Sequence, residues 1–181
     1  AGFPVTAAHQ FSTDAEGFVF GYHVLHDPGW PQAARRALST GRAVLVTPGF
    51  LQAAAAADAA LAAQLRERGV VLPALDDPNR YKALEQMPEA ELNDLRDRAL
   101  SPAGIALHAP ARVGFYLFGN DLAVLENFRD EAASCTLTIK GWRAFRRVLQ
   151  MPGSSTVTVS AGSTASFTLP AHTLVVLRRA R

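Results

Sequence analysis

The chain has 181 residues, a formal net charge of +2 and 49% hydrophobic residues. This composition is typical of a folded globular protein and excludes an intrinsically disordered one. The near-neutral charge gives no indication of nucleic-acid binding, and no apolar run reaches the roughly 20 residues of a membrane-spanning helix, so we expect neither nucleic acid nor a membrane as a partner.

The first hundred residues alternate short apolar runs with helical stretches. Apolar runs at 17–21, 43–47 and 70–72 predict buried strands. A helix entered near Asp27 and a single long alanine-rich helix ending near Arg68 are predicted between them. Strands that alternate with helices favour a parallel sheet, with 43–47 at its centre. A further helix, 88–100, has Leu92, Leu95 and Leu100 spaced for one buried face.

From about residue 101 onward the helical period disappears and short strands separated by turn residues replace it. The predicted strands are 112–118, 122–128, 133–139, 155–160, 164–169 and 173–177. In the third of these, Cys135, Leu137 and Ile139 alternate with threonines, which predicts a buried, unreactive cysteine. The fold predicted is therefore an α/β domain with a partial parallel sheet over residues 1–108, followed by a small all-β antiparallel sandwich over 109–181.

Few side chains qualify as ligand-binding candidates. His23 and His26 are three residues apart and could share a metal on a helix, but they precede Asp27-Pro28, so we favour loop histidines at the surface. Thr47 and Gly49 lie in a turn that follows a parallel strand and opens a helix, where α/β folds bind ligands, although a simple tight turn is the favoured interpretation. Asp76 lies in the loop after the strand at 70–72 and completes this set of weak candidates.

The sequence contains neither a Gly-x-Ser-x-Gly elbow nor a glycine-rich phosphate loop. The acidic pairs of the chain lie in polar loops or on a solvated helix face, and we interpret them as surface charge. We therefore assign no catalytic residue, no metal ligand and no cofactor.

Two stretches carry a resemblance to known families. The segment Arg36–Leu51 resembles the helix-glycine-strand-Thr-x-Gly step of glutamine-amidotransferase-like (flavodoxin-like) domains, and Ala1–Val5 resembles an early strand of such domains. Val124–Glu131, an Asn-Phe pair followed by an Asp-Glu turn, resembles a hairpin of the small β-domains that end many bacterial glycoside hydrolases. Leu169–Leu177 is similar to their final strand. This order of domains is that of the tail of β-galactosidases built from a barrel, a trimerisation domain and a C-terminal β-domain.

The resemblance implies a non-catalytic accessory region of a carbohydrate-active, glycoside hydrolase-like protein: a scaffold, an oligomerisation region or a glycan-proximal module. The implied partners are an upstream catalytic domain of the parent chain, further copies in a homo-oligomer, and carbohydrate. We expect the first strand and helix of the α/β domain to precede Ala1. No cysteine elbow or His–Glu pair of a working amidotransferase can be matched. The alternative is a stand-alone small-molecule-binding or hydrolytic α/β domain, with its site at the C-terminal ends of the parallel strands.

Overall fold

The computed structural model describes residue 15 and residues 17–73, 84–153 and 159–180, which form two compact units. Among them, the α/β unit comprises the residues up to 86 together with 101–103. The β unit comprises 87–100 and the residues from 104 onward. The combination of helices, a parallel sheet and antiparallel sheets that the sequence predicts is confirmed. The domain boundary near residue 108 stays a prediction. No helix within the described ranges combines the length and the apolar character needed to cross a bilayer.

The α/β unit is built on a three-stranded parallel sheet of order β1-β2-β3. Its strands are β1 (Gly17–Phe20), β2 (Ala43–Val46) and β3 (Val70–Val71). All four residues of β2 are buried, as the sequence predicted for a central strand covered on both faces. Four helical segments accompany the sheet between residues 22 and 68: a 3-10 helix (Tyr22–His26), α1 (Trp30–Ser39), α2 (Pro48–Ala57) and α3 (Ala59–Arg68). A second 3-10 helix spans Ser101–Ala103.

The long alanine-rich helix expected from the sequence is two helices, because Asp58 interrupts it. Asp58 has φ −153° and ψ 88°, which no helical residue adopts, and its carboxylate accepts a hydrogen bond from the Leu61 backbone N–H at 2.9 Å. The other carboxylate oxygen pairs with Arg35 of α1. Asp58 therefore ends α2 and caps α3, and the prediction of one helix was wrong because a good N-cap residue outweighed the helix propensity of the surrounding alanines.

Substitution of Asp58 by alanine should lower the free energy of unfolding of the α/β unit by about 1–2 kcal/mol, since the cap and the ion pair are both lost. Trp30, which packs edge-on against Phe50 at 5.3 Å between ring centroids, reports urea unfolding of this unit in a Trp142→Phe background. Asp58→Asn keeps an acceptor for the Leu61 N–H and should lose less than half as much. An equal loss in both variants would show that the cap does not stabilise α3.

The described residues of the β unit form one helix and two antiparallel sheets. Helix α4 (Glu89–Leu100) packs on β4 and buries Leu92, Leu95 and Leu100, as predicted. The three-stranded sheet has the order β10-β7-β4 and the five-stranded sheet the order β5-β6-β11-β8-β9. The strands are β4 (Ile105–His108), β5 (Val113–Phe118), β6 (Leu122–Asn127), β7 (Ala133–Ile139), β8 (Ala144–Met151), β9 (Val159–Ala161), β10 (Thr164–Leu169) and β11 (Leu174–Arg179).

Most of the strands predicted for this half are present within a residue or two of their expected bounds. Two strands, β4 and β8, were not predicted, and residues 155–158 of the predicted strand 155–160 lie outside the described residues. Along β7, Cys135, Leu137 and Ile139 are buried on one face, which confirms the alternation seen in the sequence.

Candidate functional site

Most of the candidate residues named from the sequence follow the C-terminal ends of the parallel strands. We call this side of the sheet the strand-end edge. Phe20 pairs with Val46, and the Thr47 N–H donates to the Phe20 carbonyl at 3.0 Å, so the chain segments after β1 and β2 lie side by side. The 3-10 helix that follows β1 packs on α2, which follows β2. The fold thus packs the 3-10 helix that carries His23 and His26 against α2.

The side chains at this edge are nevertheless already engaged or exposed. The Thr47 hydroxyl is buried and accepts from the Phe50 N–H at 3.3 Å, so it caps α2. Gly49 is half-buried in the first turn of the same helix. His23 and His26 lie on a 3-10 helix and not in the expected loop, and both are exposed. Asp76 lies outside the described residues. Within the described ranges, no third His, Cys, Asp or Glu joins the histidine pair.

A polar groove runs beside the three-stranded sheet. Its volume is about 390 Å³, and it is lined by Glu89, His108, Ser134, Cys135, Thr136, Ser166, Phe167 and Thr168. The hydroxyls bond across the strands, Thr136 to Ser166 at 3.2 Å and Thr138 to Thr164 at 2.9 Å. His108 pairs with Asp97 of α4 at 2.8 Å. Such mutually satisfied hydroxyls are typical of the solvated face of an antiparallel sheet.

Cys135 is one of the residues that line this groove. Burial raises the pKa of its thiol to about 11, although the nearby Arg96 charge acts in the opposite direction. The thiol lies 3.8 Å from the Ala133 carbonyl oxygen, to which it donates. Because the thiolate is the nucleophilic form, a thiol with this pKa is almost entirely unreactive near neutral pH.

The native protein should therefore resist labelling by a maleimide at pH 8, and the labelling rate should rise steeply as the pH approaches 11. The control is the chain unfolded in concentrated urea. Its single cysteine, Cys135, should then be labelled fully. Rapid labelling of the native protein at pH 8 would contradict the buried, inert assignment.

The five-stranded sheet exposes apolar side chains on its outer side. The register places Tyr116 beside Val124, Val124 beside Val176, and Val176 beside Leu149, so one apolar row crosses four strands. We call this surface the outer apolar face. Its residues are Tyr116, Phe118, Leu122, Leu149, Met151, Leu174 and Val176, with the buried Val124 at its centre and Phe128 at its edge. Phe118 and Met151 are each 56% exposed, and Tyr116 and Leu149 are each 40% exposed.

Two aromatic rings close over Gly114 at one end of this face. A Cβ atom at Gly114 would lie 3.0 Å from the Phe128 ring and 3.2 Å from the Tyr116 ring, so the glycine makes room for both. The Tyr116 hydroxyl donates to Glu126 at 3.4 Å. Partial burial raises the pKa of the Tyr116 phenol, and the Glu126 charge and this hydrogen bond raise it further, so the phenol stays neutral. The aromatic end of the face is therefore preformed.

Comparison with known proteins gives one structural similarity. No family model matches the chain, and no curated protein matches it. The crystal structure of an apo exo-carrageenase GH42 from Bacteroides ovatus aligns with a TM-score of 0.35 and 9% identity. The alignment covers 92% of this chain and 22% of that one, so this chain spans less than a quarter of the length of the solved protein.

Sequence reasoning did not find the outer apolar face, although the sequence contains its signal. Both β6 and β11 have apolar residues at consecutive positions, Leu122–Leu125 and Leu174–Leu177, where a half-solvated strand would alternate. Taken by themselves, these runs predict only strands. In each run, every second residue points to the core, and the residues between them, Leu122 and Val124 in β6 and Leu174 and Val176 in β11, belong to the outer face.

Proposed function

We propose that the chain is a non-catalytic accessory region of a carbohydrate-active, glycoside hydrolase-like protein, and that its β unit docks on another protein through the outer apolar face. The α/β unit is, in this proposal, a flavodoxin-like domain related to glutamine amidotransferases. Support for the carbohydrate-active context comes from the sequence resemblance of Arg36–Leu51 and Val124–Glu131. Support for the docking role comes from the outer apolar face.

The exposed apolar side chains of this face are the observation that carries the proposal. An antiparallel sheet normally presents polar residues on its solvated side, as the three-stranded sheet of this unit does. Contiguous apolar patches on soluble proteins mark surfaces that bind other proteins or ligands. Burial of such a surface contributes about 25 cal/mol per Å² of apolar area removed from water, which gives a partner a direct gain.

Dye binding tests whether the face is available in solution. A hydrophobic fluorescent dye such as bis-ANS should bind the native chain at about 1 μM, and its fluorescence should fall by at least half in a Phe118→Ser, Leu149→Ser variant. Thr136→Ser with Thr138→Ser, on the hydroxyl face of the other sheet, is the matched control and should bind dye as the wild type does. Equal dye binding in all three proteins would overturn the docking role.

The non-catalytic part of the proposal has its own assay. The chain should not hydrolyse chromogenic glycosides or glutamine, because either reaction needs a positioned pair of groups, and we assign no such pair. Turnover that is clearly above background and is lost in His23→Ala or Asp76→Asn would instead establish the alternative, a hydrolytic α/β domain working at the strand-end edge.

A further inference from the structure

The charges that border the outer apolar face identify its partner. This inference rests on the proposed docking function and deepens it: we infer that the partner is a second copy of the chain, joined face to face about a two-fold axis. Three features carry the inference, namely the order of charges across the face, the arginines at its border, and the size of the patch.

Opposite charges flank the central apolar row. One step along the strands from this row, Glu126 of β6 lies beside Leu174 of β11. One step in the other direction, Arg178 of β11 lies beside Leu122 on one side and Arg146 of β8 on the other. Each step is two residues, about 7 Å along a strand. One border of the face therefore carries an acidic residue and the opposite border two basic residues, with the apolar row between them.

Among the described residues, the two arginines have no counter-ion. Both Arg146 and Arg178 are exposed, and within the described part of the chain neither forms an ion pair. Glu126 lies on the opposite border, and among the described residues only the Tyr116 hydroxyl bonds to its carboxylate. An acidic group on one side and two uncompensated basic groups on the other are a self-complementary pattern.

This pattern selects one orientation for a second copy. In a two-fold dimer both copies use the same patch. Depending on the direction of the axis, the Glu126 border of one copy faces either the Arg178 border or the Glu126 border of the other. An axis along the apolar row exchanges the two borders, which places Glu126 of each copy over the Leu122 and Arg178 border of the other. An axis along the strands would instead bring like borders together, which is costly. The charges thus favour the first arrangement.

The size of the face sets the expected strength of the dimer. Four strands spaced about 4.8 Å apart, each contributing six residues with a rise of about 3.4 Å, give a flat patch of roughly 400 Å² per copy. The relief of the side chains adds to this area. Stable complexes bury about 800 Å² per partner, so this dimer belongs to the weak, reversible class. We expect a dissociation constant on the order of 10 μM, which sets the concentration range of the test.

Sedimentation velocity from about 1 to 200 μM tests the inference with a charge exchange. The wild type should pass from monomer to dimer over this range. Glu126→Arg alone and Arg178→Glu alone should each weaken the dimer at least tenfold, because each places like charges opposite one another. The double variant should return to within about threefold of the wild type. Ser166→Arg on the hydroxyl face is the matched control and should dimerise as the wild type does.

A wild type that stays monomeric throughout, or single variants that dimerise as well as the wild type, would overturn the inference. So would a double variant that fails to recover. The dye experiment separates this failure from that of the proposed function. If dye binds the face but the chain stays monomeric, the docking role stands with a different protein as partner; if dye does not bind, the docking role itself falls.

Discussion

Replacement of Arg96 by methionine should lower the free energy of unfolding of the β unit by about 3 kcal/mol. Arg96 is a fully buried residue of α4 whose guanidinium donates to the carbonyl oxygens of Ala109 and Pro110 and to the Asn93 side chain. Burial lowers the pKa of the guanidinium, but arginine remains protonated at every working pH. Methionine fills much of the same volume yet deprives the Ala109 and Pro110 carbonyl oxygens of the Arg96 donor, at a cost of about 1–3 kcal/mol each.

Arg98→Met is the matched control for this variant. Arg98 lies two residues along the same helix, and its exposed i,i+4 ion pair with Asp94 should contribute less than about 0.5 kcal/mol. Trp142 is buried against Phe145 in the same unit, and Trp30→Phe makes it the sole tryptophan reporter of urea unfolding. Similar losses in the two variants would show that the buried guanidinium does not hold α4 to the loop after β4.

Substitution of Asn127 by alanine should destabilise the β unit by about 2–4 kcal/mol. The buried Asn127 amide group lies within hydrogen-bond reach of the carbonyl oxygens of Glu131, Leu169 and Pro170, at 2.9, 3.1 and 2.8 Å. Its own carbonyl oxygen accepts from the Arg129 N–H at 3.1 Å. One side chain thus ties the end of β6 to the turn that follows it and to the end of β10. Its removal leaves several buried polar groups unsatisfied.

An aspartate at position 127 separates hydrogen bonding from packing. Asn127→Asp has nearly the same shape, but when ionised it presents two acceptors to three carbonyl oxygens. It should therefore be at least as destabilising as alanine at neutral pH and recover part of the loss as the pH falls. Asn120→Ala, in the exposed turn between β5 and β6, is the control and should change stability by less than about 0.5 kcal/mol. A mild effect of Asn127→Asp at neutral pH would contradict the assigned donor role.

The parts of the fold that could be predicted are those with a strong local pattern. The continuous apolar run of β2 and the strict alternation around Cys135 each indicate one structure, because a buried central strand and a half-buried strand have different periods. Strand β8 could not be predicted in the same way, since Ala144–Met151 mixes arginines with apolar residues and carries an irregular register beside Val176 and Leu177. The helix break was predictable in principle, because Asp58 is the one polar residue between Ala53 and Ala63.

The candidate sites depended more on tertiary structure. The sequence predicts Thr47 at the end of a parallel strand, and it lies there, but only the three-dimensional structure shows that its hydroxyl caps α2. The Asn-Phe pair within Val124–Glu131 was noted as a family resemblance, and its physical reason, the bridging amide of Asn127, joins residues more than 40 positions apart. No local pattern predicts such contacts.

The outer apolar face is tested most directly by hydroxyl-radical footprinting of the wild-type chain at two concentrations. At about 1 μM, Tyr116, Phe118 and Met151 should be oxidised readily, in keeping with their exposure, as should Tyr22 of the α/β unit, which serves as the internal reference. At about 200 μM the three face residues should be protected several-fold, while Tyr22 is unchanged. Face residues that resist oxidation at low concentration, or that are oxidised equally at both, would contradict the assignment of this face as the interface between two copies.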